Sequence, residues 1–185
     1  ESGGNFSETS FSSNTGDLRA AARFLERAYR APGLLIGHSL GGAAVLQAAP
    51  DIPSSRAVVT IAAPSEPGHV NELLGLSSED MAGEDERVIT IAGRSFTIKK
   101  RFVEDLEKTR MEGTIRALGR ALLVMHSPRD RVVGIDNAAA IFQAALHPKS
   151  FVSLDPADHL LTDPADSRYA GAVIGVWASR YLARG

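Results

Sequence analysis

Leu34 to Leu46 reads LLIGHSLGGAAVL, and this stretch constrains the chain more than any other. An apolar run stops on a serine set among three glycines and then resumes as an alanine-rich run. Glycine costs backbone entropy inside a regular element, and a buried serine gains little, so the spacing needs a backbone reason. PGLLIGH has no polar alternation, the pattern of a strand covered on both faces in a parallel sheet. LGGAAVLQAA is apolar all round, which predicts a buried helix. Gly37-His38-Ser39-Leu40-Gly41 is therefore G-x-S-x-G placed between a strand and a helix, the context of a nucleophile elbow. Such a turn strains the serine backbone and points the hydroxyl out of the sheet edge. Side chains at 37 and 41 would collide there, and Gly42 lets the helix approach closer. The plain alternative is a glycine turn in which Ser39 only caps the helix.

The rest of the chain repeats this alternation. Residues 1 to 16 are rich in Ser, Gly and Asn and read as a loop. From Asp17 to Arg30, Leu18, Ala21, Ala22, Leu25, Ala28 and Tyr29 recur at helical spacing. RAVVTIAAP (56–64), RALLVMHSP (120–128) and SFVSLD (150–155) repeat the strand signal, with helical stretches at 137–146 and 167–182. Alternating strands and helices predict an α/β fold with a mainly parallel sheet and right-handed crossovers. At 185 residues and 44% hydrophobic content, one domain spanning 1–185 is expected. Residues 65–119 break the rhythm with more charge, a hairpin at RVITIAGRSFTI turning near Ala92 and Gly93, and helical pieces at 102–108 and 114–118. A connection this long between core strands reads as a cap or lid.

A serine at neutral pH needs a base to take its proton and a third group to orient that base. Of five histidines, His38 lies inside the elbow pointing away from Ser39, His69 falls in the insertion, His126 ends a strand, and His147 precedes Pro148; these read as structural or surface. His159 follows the last strand in the loop DPADHLL and so shares the C-terminal sheet edge with Ser39, where sites in open α/β sheets form. Asp130, in HSPRDRVV after the strand at 120–128, is the acid expected at that edge. Asp155 and Asp158 sit too near His159 in sequence to reach its far ring nitrogen comfortably, and Asp163 and Asp166 read as a helix start.

These segments resemble the α/β-hydrolase superfamily, in the chain order nucleophile, acid, histidine. SFSSN, LLIGHSLGGAAVL, FTIKK, LLVMHSP, VGIDNA and HPKSFVSLDPADHLL are more similar still to the hydrolase domain that bacteria often fuse to an OsmC-type domain; no such second domain follows in these residues. The likeness runs from about Asn5 to Leu182. By position it implies Ser39 as nucleophile, Asp130 as acid and His159 as base, the three chosen above. It also implies a departure, because such hydrolases begin with several strands and a loop that supplies one oxyanion-hole amide. The amide of Leu40 is then the donor this chain offers. The activity implied is serine esterase or lipase chemistry on carboxylic esters of short to medium acyl chains. A non-catalytic or weakly active remnant serving as an interaction domain is the alternative.

Charge and composition exclude other classes. Twenty Lys plus Arg against 22 Asp plus Glu give a net charge of −2, so no broad basic face exists for nucleic acid. With no cysteine there is no disulfide and no thiol chemistry. No cofactor and no metal are expected. No run reaches the roughly 18 apolar residues of a membrane span, and a cytoplasmic protein is the expectation. Without the preceding strands, the strand at 32–38 becomes an apolar sheet edge, a template for pairing. A homodimer through that edge, with the 17–30 helix and the N-terminal loop, is expected.

Overall fold

The computed structural model describes residues 4–73, 75–91 and 94–182. Four parallel strands form the main sheet: β1 (Leu34–His38), β2 (Ala57–Ile61), β5 (Ala121–His126) and β6 (Lys149–Ser153), in the order β1-β2-β5-β6. Leu34 pairs with Ala57, Ala57 with Ala121, and Leu122 with Lys149, so all four strands end together at His38, Ile61, His126 and Ser153. The fold class is thus the expected mainly parallel α/β sheet flanked by helices.

The two central strands explain their own composition. β5 is buried along its whole length and β2 along all but its last residue, as a strand covered on both faces must be. Side chains alternate between the faces. Val58, Leu122 and Val124 join a cluster with α2 (Leu40–Ala48) and α6 (Asp136–Ala144), while Val59, Leu123 and Met125 face α7 (Pro164–Leu182). α7 meets them with Ala170, Ile174 and Ala178, a stripe at four-residue spacing. Asp163 accepts the Ala165 amide at the start of α7, in keeping with the helix start read there.

α1 (Phe11–Ala28) begins six residues before the expected Asp17, which corrects the reading of 1–16 as a loop for its last part. The reason is capping. Ser10 and Ser13 exchange backbone and side-chain hydrogen bonds, and Asp105 accepts both the Ser12 amide (2.6 Å) and its hydroxyl (2.7 Å). Phe11, almost fully buried, anchors the new first turn.

Between β2 and β5 the chain forms α3 (Gly68–Leu73), the antiparallel pair β3 (Glu86–Ile91) and β4 (Arg94–Lys99), α4 (Lys100–Lys108) and α5 (Glu112–Arg116). The expected hairpin is present; its turn at Ala92 and Gly93 lies outside the described residues. α3 had no sequence signal of its own. It is held by Asn71, whose side-chain amide donates to the Val103 carbonyl at 2.9 Å. Glu66 accepts from the Met111 and Glu112 amides and so satisfies the start of α5. Met81, Phe102, Val103, Leu106 and Ile115 from this segment are buried in the same cluster as α2 and Val58. No described helix is long and apolar enough to cross a membrane.

Candidate active site

Ser39 follows β1 directly with φ 53° and ψ −131°, a conformation L side chains rarely adopt. Its amide donates to the Ile61 carbonyl at 2.9 Å, and its carbonyl accepts from Gly42 at 2.8 Å, so both ends of the turn are pinned. A Cβ on Gly37 would lie 2.1 Å from the Gly41 carbonyl oxygen, and one on Gly42 would lie 2.5 Å from the Ala63 Cβ. The expected collision at 41 is corrected: a Cβ there meets nothing within 4 Å. It is the Gly41 backbone, not its missing side chain, that fills the space above Gly37.

The Ser39 hydroxyl makes no cap to its helix. It points instead to His159, with Oγ 3.1 Å from Nε2. His159 Nδ1–H donates to Asp130 Oδ2 at 2.7 Å. That oxygen accepts, so Nδ1 carries the proton and Nε2 faces the hydroxyl as an acceptor. The structure therefore brings together the three residues selected from the sequence, each on a loop after a different parallel strand. Asp130 and His159 are 8% and 9% exposed, so the hydrogen bond between them is little screened by water.

The remaining Asp130 oxygen, Oδ1, accepts from the Val132 and Val133 amides at 2.8 and 2.9 Å, which fixes the carboxylate plane. Asp155 and Asp158 serve local turns instead. Asp155 accepts from the Ser153 hydroxyl, and Asp158 accepts from the Thr162 hydroxyl and then its amide, which hold its carboxyl below the usual aspartate range.

Two histidines that the sequence reading set aside lie against this chain of bonds. His38 Nε2–H donates to the His159 carbonyl at 2.7 Å, and the two rings sit 4.9 Å apart. Partial burial of its ring, with the His159 ring beside it, holds His38 below the usual histidine range. His126 lies under Asp130. Only their position as the last residues of β1 and β5 could have flagged them. His69, by contrast, reaches Asn137, away from the three.

A cavity of about 750 Å³ opens at Ser39 and His159. Its walls are mostly apolar, with Ile36, Val132, Phe6, Phe96 and Phe102 among the residues that line it. The Phe6 ring stands 5.2 Å from Phe96 and 6.0 Å from Phe102. Leu40 opens α2, and amides in the first turn of a helix have no acceptor within it.

No family model matches the sequence, and no curated protein is detectably similar to it. Among solved structures, the esterase domain from a Rhodothermus marinus protein is 50% identical at a TM-score of 0.79, covering 95% of this chain and 72% of that one. Est1E from Butyrivibrio proteoclasticus, solved with ferulic acid bound, superposes with a TM-score of 0.79 at 18% identity, covering 97% of this chain and 72% of that one. Alpha/beta hydrolase domain-containing protein 10 from mouse does so at 0.77 and 20% identity, covering 96% and 72%. The last two show the fold alone. With half of its residues identical to an esterase domain over nearly its whole length, and its fold shared with both distant structures, the chain belongs to the α/β-hydrolase superfamily and is a hydrolase domain.

Proposed function

We propose that this hydrolase cleaves carboxylic esters of short to medium acyl chains through a covalent acyl-enzyme on Ser39. The observation that carries the reading is the unbroken line from Asp130 Oδ2 through the His159 ring to Ser39 Oγ, at 2.7 and 3.1 Å. His159 Nε2 takes the hydroxyl proton as Oγ attacks the ester carbonyl, and Asp130 holds the ring in that tautomer and offsets the imidazolium charge. The Leu40 amide, at the positive end of α2, donates to the developing oxyanion. The imidazolium then protonates the departing alcohol, and water repeats the sequence to release the acid. Esters are favoured over amides because an alcohol leaves without strong protonation. The esterase relative supports the same choice, and the apolar cavity beside Ser39 suits an acyl chain. Residues 65–119 act as a cap in this reading, a choice supported by Phe96 and Phe102, which line the cavity beside Ser39.

The test is turnover of p-nitrophenyl acetate and butyrate together with covalent labelling by a fluorophosphonate probe. Wild type is expected to do both, and Ser39→Ala neither. Equal labelling of the variant, or no turnover above buffer by pure wild type, overturns the enzyme and leaves an interaction domain.

A further inference from the structure

We propose that His126 is a positioning residue for Asp130, an inference that rests on the ester-hydrolase reading above. His126 ends β5 and is 1% exposed. Its Nε2 lies 2.8 Å from the Val133 carbonyl oxygen. A carbonyl only accepts, so Nε2 carries the proton. The same N–H stands 3.5 Å from Asp130 Oδ2, the oxygen that accepts from His159.

Val133 is thereby held from both sides: its amide donates to Asp130 Oδ1 at 2.9 Å and its carbonyl accepts from His126. The loop from Ser127 to Val133 closes on itself, with the Asp130 amide donating to the Ser127 carbonyl and the Arg129 amide to the Ser127 hydroxyl. None of these local bonds ties the loop to the strand that carries it; the His126 ring does. The main chain of His126 also reaches the other loop, because its carbonyl accepts from Leu154 at 2.9 Å, the residue that leads into the segment bearing His159. One strand end thus sets the acid through its side chain and the base through its carbonyl. A buried histidine with one nitrogen committed to a carbonyl is a costly way to fill space that a leucine would fill, since its polar atoms must all be satisfied. Orientation of a carboxylate needed at one angle gives a reason for keeping it.

The test compares His126→Met with His126→Gln, two side chains of similar shape of which only glutamine places an N–H near the position of Nε2. Hydrogen-bond partners that orient metal ligands commonly carry about 10- to 100-fold of activity, and a residue that orients the acid is expected to carry a comparable share. His126→Met is therefore expected to lose that much kcat on p-nitrophenyl butyrate and in fluorophosphonate labelling rate, with KM nearly unchanged, and His126→Gln to recover most of it. Equal kcat in the two variants, or a loss confined to KM or thermal stability, overturns the role. Should the Met variant not fold, nitrogen NMR of wild type decides. A neutral ring protonated at Nε2 throughout the active pH range supports the role, and a ring protonated at Nδ1 or titrating in that range refutes it. Wild-type turnover and labelling are measured alongside. Their absence would remove the ester-hydrolase reading itself, whereas an active wild type with indifferent His126 variants removes only this inference.

Discussion

Ser39 sits at positive φ because the backbone on either side is pinned, and such strain costs on the order of 1–3 kcal/mol. The neighbouring glycines differ in what they tolerate. Gly42→Ala pushes a methyl into Ala63, and a loss of roughly 1–3 kcal/mol in chemical denaturation is expected. Gly37→Ala meets backbone atoms that cannot turn aside and should cost more. Gly41→Ala meets nothing and lies in a helix, so it should be neutral or stabilising by about 0.5–1 kcal/mol; a large loss there would contradict the geometry. Asp130→Asn is expected to leave the fold intact and lower kcat by about four orders of magnitude, because an amide favours the wrong imidazole tautomer. Asp155→Asn and Asp158→Asn should do far less, and a ranking led by Asp158 would reassign the acid. His38 adds a pH effect. Above the usual histidine range both folded and unfolded forms are neutral and the shift contributes nothing. As pH falls through that range the unfolded chain protonates first, because the folded value is lowered by burial, and stability declines until the folded His38 titrates as well. His38→Gln should flatten that decline in a series of melting temperatures; an unchanged slope would show that the ring does not contribute.

At the scale of elements, the N-terminal segment ties the first helix to the insertion. Glu8 is paired with Lys99 and with Arg101, the latter at 2.6 Å, and Phe6 lies against Phe96 and Phe102. The Lys99 hydrogen bond, followed by that of Arg101, holds the Glu8 carboxyl below the usual glutamate range. The contact is therefore complete above that range and is lost as pH falls through the lowered folded value. Hydrogen-exchange protection of residues 5–9, taken relative to the intrinsic rate at each pH, should fall in acid in wild type but be low at every pH in Glu8→Gln. Asp105→Ala removes the acceptor for Ser12 and should cost about 1 kcal/mol, as loss of a helix cap does, with faster exchange confined to the first turn of α1. Phe6→Ala removes a ring from the cavity lining, and KM for the butyrate ester should rise more than KM for the acetate.

Over the whole molecule, the four-stranded sheet has its edges at β1 and β6. β2 and β5 are sealed between α7 on one face and α2, α6 and the insertion on the other. β1 pairs only with β2 among the described residues and leaves Ile36 49% exposed beside a row of backbone groups. Such an edge favours a second strand, and a two-fold dimer that pairs β1 with its copy is the expected state in light scattering at micromolar concentration. Ile36→Lys should then give monomers. A wild type already monomeric, or a dimer formed through β6, would refute pairing at β1.

What the sequence by itself determined is the local backbone and the shared edge. G-x-S-x-G after an apolar run specifies a strand, a tight turn and a helix, because the excluded volume at Gly37 is set by Gly41 and Gly42, a few residues away. Parallel strands put their C-terminal ends together, so Asp130 and His159 could be picked by position alone. Only the tertiary structure decided which side chains support them. The acceptor for His38 is a carbonyl 121 residues distant, and the cap on α1 is an aspartate 93 residues from Ser12. His126 meets Val133 because the Ser127–Val133 loop folds back over its own strand. No periodicity encodes such contacts, since each depends on where packing of the sheet and helices leaves a polar atom without water, and that is settled only when the whole chain has closed.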